Sequence, residues 1–130
     1  IPVMGHIGLL PQTSKKFKVR GKKLLQREKI LEDAKTISES GVFAIVIECV
    51  VESLAKKITE NVSVPTIGIG ASKYCDGQIL VSDDILGLTE TNAKFVKQYY
   101  NLSKIIEKSF KRYSKDVKMR RFPSVKNVYK

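Results

Sequence analysis

Apolar residues along this chain follow two rhythms, and the switches between them mark out the elements. Ile1-Pro2-Val3-Met4 is a short apolar run that predicts a strand ending in Gly5-His6, after which Gly8, Pro11, Thr13 and Ser14 mark a loop. Residues 15–29 carry eight Lys or Arg with Gly21 among them, as in an exposed loop running into a helix. Inside that helix Ile30, Leu31, Ala34 and Ile37 recur at helical spacing, and Gly41 stands where a terminating glycine belongs. The next stretch, Val42-Phe43-Ala44-Ile45-Val46-Ile47-Glu48-Cys49, is continuously apolar, rich in β-branched residues and closed by a carboxylate. It is too short for a core helix and predicts a strand buried on both faces.

A second helix follows, with Val51, Leu54, Ala55 and Ile58 as its apolar stripe and Glu52, Lys56, Lys57 and Glu60 facing water. Residues 61–65, ending in Pro65, stop it. Thr66-Ile67-Gly68-Ile69-Gly70-Ala71 predicts a third strand entering a turn with Ser72, Asp76 and Gly77, and Gln78-Ile79-Leu80-Val81 a fourth. From about Thr91 the spacing predicts a helix. Phe95, Tyr99, Leu102, Ile106, Phe110 and Tyr113 form an apolar stripe suited to docking on a core, and past Asp116 the pattern fades.

Alternating strands and helices imply right-handed crossovers and parallel strands. Four of them make half a (β/α)8 barrel, with a flavodoxin-like open sheet as the competing architecture. The barrel is favoured because each strand, rather than one switch point, ends in a polar candidate: His6, Glu48, residues 68–72 and residues 82–84. Residues 1–116 are assigned to the half-barrel and 117–130 to a basic, irregular tail.

Composition narrows the functional classes. The 130 residues allow one domain, and the 42% hydrophobic content supplies an ordinary core. No apolar run approaches the roughly 18 residues of a membrane span, and no charged-then-apolar leader opens the chain, so cytoplasm is the expected location. Cys49 and Cys75 lack metal-type spacing and are expected to be reduced thiols. The chain opens at Ile1 without an initiator Met, from which a longer protein is expected. The net charge is +11, and residues 104–130 hold ten basic against two acidic residues. Of the 24 basic residues 19 are Lys, a bias that fits solvated helix faces better than a nucleic-acid surface, and no recognition motif accompanies it.

The chemistry rests on few residues. Glu48, at the exit of the central strand, is either a working carboxylate or the cap of the following helix. His6, the single histidine, either orients a substrate carbonyl or carboxylate or caps backbone. Gly68 and Gly70 either bring backbone close to an anion or allow tight strand packing; a Rossmann fingerprint is absent. Asp83 and Asp84 are expected to cap a turn rather than bind metal.

Several stretches together are similar to one family. Ile1-Pro2-Val3-Met4-Gly5-His6-Ile7-Gly8, Leu10-Pro11-Gln12, Ile47-Glu48-Cys49, Leu54-Ala55-Lys56-Lys57-Ile58-Thr59, residues 65–71 and Asp76-Gly77-Gln78-Ile79-Leu80-Val81 closely resemble ketopantoate hydroxymethyltransferase in order and spacing. The match covers nearly all of residues 1–88 and thins after about Asn92.

The resemblance implies a cytoplasmic, Mg²⁺-dependent, homo-oligomeric (β/α)8-barrel enzyme of pantothenate and coenzyme A biosynthesis. It transfers a one-carbon unit from 5,10-methylenetetrahydrofolate to 3-methyl-2-oxobutanoate, giving 2-dehydropantoate and tetrahydrofolate, with no role for nucleic acid or membrane. By position Glu48 matches the general base that removes the proton beside the ketone, and His6 matches a histidine beside the substrate. A metal bound to the keto acid would stabilise the enolate enough for a carboxylate base to act. The family's Mg²⁺ carboxylates and a substrate-binding lysine and serine come from earlier strands that no stretch here matches. The chain therefore resembles a C-terminal half, expected to be inactive alone. Ser72 stands where a glycine is common, and Ser82-Asp83 replaces a Met-His pair before Asp84; both departures leave Glu48 untouched and bear on the folate side. Two other classes remain: another metal-dependent keto-acid barrel lyase, and a basic non-catalytic binding module.

Overall fold

The computed structural model describes residues 1–12 and 18–129. The loop markers Thr13 and Ser14 and the basic residues Lys15 and Lys16 lie outside the described residues. The chain divides into two compact units, Ile1–Leu80 and Val81–Lys130.

The first unit is a parallel sheet of four strands in the order β1 (Met4–Gly8), β2 (Ala44–Glu48), β3 (Thr66–Ile69) and β4 (Gly77–Gln78), with helices α1 (Leu24–Glu39) and α2 (Glu52–Asn61) joining the first three. A sheet built outward in chain order, with no reversal, is the order of a (β/α)8 barrel and not of a doubly wound sheet. The distribution of side chains agrees. Ile7, Ile45 and Ile47 share one core with Ile30 and Ala34 of α1 and Leu54, Ala55 and Ile58 of α2. By strand alternation the opposite face carries Met4, His6, Ala44, Val46, Glu48, Ile67 and Ile69. Both helices therefore pack on one face, and the other corresponds to a barrel interior. The fold is α/β, four parallel strands in the order of half a (β/α)8 barrel.

Local chemistry explains most boundaries. Gly41 takes φ +83° just past Ser40, the cap of α1, where a side chain would be strained. Pro65 contributes its carbonyl to Ile45 N–H at 2.9 Å, tying the start of β3 to β2. Asp76 fixes the far end of the β3–β4 connection: its Oδ2 accepts from Thr66 N–H at 2.8 Å and from Thr66 Oγ1 at 3.0 Å. Those two bonds favour the charged carboxylate and hold the Asp76 pKa below its ordinary value, against a smaller opposing effect of desolvation.

Several boundaries differ from the sequence reading. The first strand lies at residues 4–8 rather than 1–4, so His6 sits mid-strand instead of at an exit. Pairing with β2 sets this: Met4 lies opposite Ala44 and Gly8 opposite Glu48. The central strand begins only at Ala44, and Phe43 is 53% exposed at its amino end rather than buried. The fourth strand shrinks to Gly77–Gln78, because only these two residues pair with β3, opposite Ile67 and Gly68.

In the second unit α3 (Ser82–Leu86) is capped by Val81, without a side-chain bond from Asp83 or Asp84. Those acids instead occupy its first turn, where the helix dipole favours negative charge. The long helix α4 (Leu102–Lys118) starts later than the stripe predicts, because Tyr99 and Tyr100 N–H both turn to Ile85 carbonyl and Asn101 Oδ1 caps Lys104 N–H at 3.1 Å. Its apolar residues are not buried within the described structure; Phe110 is 69% exposed. The basic segment after it includes a single 3₁₀ turn, Val125–Asn127.

Candidate active site

The carboxyl end of β2 is held from three directions. On one side Glu48 carbonyl accepts Leu9 N–H at 2.9 Å, and on the other Cys49 N–H donates to Ile69 carbonyl at 2.9 Å. From above, Arg20 N–H donates to Cys49 carbonyl at 2.7 Å while Arg20 carbonyl accepts Val51 N–H at 3.0 Å, a parallel bridge between Arg20 and Val50. The loop after β1 is thus stitched to the exit of β2. Cys49 adopts φ 51°, a left-handed conformation uncommon for a residue with a side chain, and it turns the chain sharply just past Glu48.

Glu48 is buried, and its carboxylate faces His6 across the strand pair, Oε2 to Nε2 at 3.2 Å. The register explains the meeting. His6 lies opposite Val46, so Glu48 is two residues further along and on the same face. Nε2 is itself buried and makes no aligned hydrogen bond. Of the two alternatives for Glu48, the capping one fails: α2 is capped by Val51 and receives no side-chain bond there. His6 likewise contacts a carboxylate rather than capping backbone.

The adjoining thiol is inert. Burial, aided by the neighbouring Glu48 charge, pushes Cys49 up to about 11, and both cysteines are free and buried. Residues 68–72 behave as packing and turn residues. A Cβ on Gly68 would meet Gln78 Oε1 at 3.0 Å, and Ser72 Oγ donates to Glu52 Oε1 at 3.2 Å while accepting Tyr74 N–H at 3.1 Å. That hydroxyl pins the turn to the first turn of α2.

A cavity of about 200 Å³ beside β1 is lined by His6, Gly8, Leu10, Ile30, Asp33 and Thr36, without Glu48. It is below the roughly 300 Å³ of a usual ligand pocket. Among the described residues no group of three or more His, Cys, Asp or Glu converges as a metal site. The Glu48 carboxylate is faced by an imidazole nitrogen rather than by converging oxygens, which does not match the all-oxygen octahedron of Mg²⁺. No described helix is long and apolar enough to cross a membrane. Sequence reasoning passed over Arg20 and Leu9, since both act through main-chain groups that no side-chain pattern announces.

A family model described as ketopantoate hydroxymethyltransferase matches residues 1–125. A relative from Pelagibacter ubique named 3-methyl-2-oxobutanoate hydroxymethyltransferase is 53% identical over 129 residues, covering 99% of this chain and 50% of its own length. Proteins of the same name from Kosmotoga olearia and Caulobacter vibrioides are each 52% identical, over 99% of this chain and 50% and 48% of their lengths. The chain thus spans about half the length of the curated relatives it matches. With the family model matching residues 1–125 and a relative 53% identical over 99% of the chain, one conclusion follows: this chain belongs to the ketopantoate hydroxymethyltransferase family.

Proposed function

We propose that this chain supplies the base-bearing half of an enzyme that transfers a hydroxymethyl group from 5,10-methylenetetrahydrofolate to 3-methyl-2-oxobutanoate, releasing 2-dehydropantoate and tetrahydrofolate. The observation that carries the proposal is the buried Glu48 carboxylate at the carboxyl end of β2, on the face opposite the helices. Glu48 is the general base that takes the proton from C3 of the keto acid. The base must sit within about 3 Å of that proton's carbon or reach it through one water, and a carboxylate held by its flanking main chain meets that requirement when the substrate lies over the strand ends. His6 lies 3.2 Å from the Glu48 carboxylate on the same face.

The described residues offer no Mg²⁺ site, so a Mg²⁺ that would serve as Lewis acid for the keto acid would take its ligands from outside these 130 residues. The fragment alone is accordingly inactive, and the working enzyme is a cytoplasmic homo-oligomer. Residues 1–116 form the catalytic half-barrel and residues 117–130 a basic tail.

The test is product analysis with the full-length protein. Incubated with 3-methyl-2-oxobutanoate, 5,10-methylenetetrahydrofolate and Mg²⁺, it should release tetrahydrofolate and 2-dehydropantoate in equal amounts, whereas residues 1–130 alone release neither. Turnover of the keto acid without tetrahydrofolate would point instead to a lyase of similar architecture.

A further inference from the structure

We infer that His6 is the positioning residue of Glu48, holding one carboxylate oxygen so that the other faces the substrate. The inference rests on Glu48 being the base, and adds a role for the imidazole that acts through Glu48 rather than through the substrate.

Three observations support it. His6 Nε2 lies 3.2 Å from Glu48 Oε2. Nε2 is buried yet makes no aligned hydrogen bond, so it has lost water without gaining a partner of good geometry. Glu48 Oε2 is the carboxylate oxygen within reach of that nitrogen. Contacts of this kind are often poorly aligned without substrate and tighten when it binds. No other acid on the paired strands competes, since β1, β3 and β4 carry none.

The main chain of Glu48 is fixed by the Leu9 and Ile69 bonds, but these leave the side-chain torsions free. A carboxylate on such a stem turns between staggered rotamers unless a partner holds it. An Nε2–H bonded to Oε2 removes that freedom and leaves Oε1 as the reacting atom. The imidazole orients the base and does not itself touch the reacting carbon.

The contact atom makes the idea testable. Glutamine carries its amide nitrogen at the ε position, where it can replace Nε2–H; asparagine reaches only the δ position. In the full-length enzyme His6→Gln should recover most of the wild-type kcat. His6→Asn and His6→Ala should each lower kcat about 10- to 100-fold with KM within about twofold, the size of effect seen when the partner of a site ligand is removed. Thermal unfolding of all three variants identifies any that fail to fold, and the Gln and Asn pair, matched in polarity, carries the comparison in that event. A rise in KM at unchanged kcat would show a substrate contact and overturn the inference, as would equal losses in Gln and Asn or no loss in any variant. Glu48→Gln separates this from the reading beneath it. If Glu48→Gln leaves C3 proton exchange intact, Glu48 is not the base; if it stops exchange while the His6 variants behave as wild type, only the inference on His6 fails.

Discussion

Adding a single methyl group at Gly8 should damage the site more than its size suggests. Gly8 ends β1 opposite Glu48 and has φ +95°, outside the range that residues with a side chain adopt readily. A Cβ built there would lie 2.2 Å from Glu48 carbonyl oxygen and 2.6 Å from Val50 Cγ2. Normal contact would require the strands to part by about 1 Å. The unfavourable backbone conformation costs about 1–3 kcal/mol, overpacking about 1–3 kcal/mol, and the Leu9–Glu48 hydrogen bond broken by the parting about 1 kcal/mol. Gly8→Ala should therefore destabilise the protein by about 3–7 kcal/mol, a large share of the 5–15 kcal/mol typical of a folded protein.

Gly41→Ala is the control. Gly41 also has positive φ, +83°, but nothing lies within 4 Å of its would-be Cβ, so backbone strain alone applies, about 1–2 kcal/mol. Urea denaturation of the two full-length variants measures the difference. Exchange of the substrate's C3 proton measures whether the displaced carboxylate still reacts, and a 1 Å misplacement lowers the rate about 100-fold. A Gly8→Ala protein as stable as Gly41→Ala, with exchange at the wild-type rate, would refute the packing of β1 against the Glu48 carbonyl and the placement of the site that depends on it.

Other consequences can be checked alongside. Asp76 has its pKa lowered in the folded state by the two Thr66 bonds, so the stabilisation is whole above the carboxyl's unfolded value, near 4, and is lost as pH falls through the lower folded one. Asp76→Ala should cost about 1–2 kcal/mol near neutral pH and flatten the acid limb of the stability curve, measured by Tm between pH 2 and pH 7; an unchanged acid limb would show that the bonds contribute nothing. Cys49, raised to about 11, is expected to stay unmodified by a thiolate-directed alkylating agent at pH 8 in the folded protein and to react once urea is added. Labelling of Cys49 in the native state, located by mass spectrometry, would contradict its burial.

The central strand was legible because a continuous β-branched run closed by an acid has few alternatives, and Glu48 stood at its end as expected. Helices α1 and α2 followed from their stripes and from Gly41. The first strand was misplaced, because Gly5 and Gly8 lower local strand propensity and the partner strand, not the local sequence, sets the register. The meeting of His6 and Glu48 was invisible for the same reason: 41 residues separate them in the sequence, and only parallel pairing brings them to 3.2 Å. Cys49's left-handed backbone left no trace in the sequence, since that conformation is imposed by bonds to Ile69 and Arg20 rather than by a glycine. The stripe of 95–113 was read from its spacing, but the start of α4 was decided by Asn101 and by two backbone bonds to Ile85.

The most direct measurement of the central claim is C3 proton exchange of 3-methyl-2-oxobutanoate, followed by NMR in deuterated water, in the full-length enzyme carrying Glu48→Gln. With Glu48 as the base, exchange falls to background while calorimetry still detects Mg²⁺-dependent binding of the keto acid. Exchange at the wild-type rate, with binding intact, would remove Glu48 from the chemistry and with it the reason for placing the base in this half of the barrel.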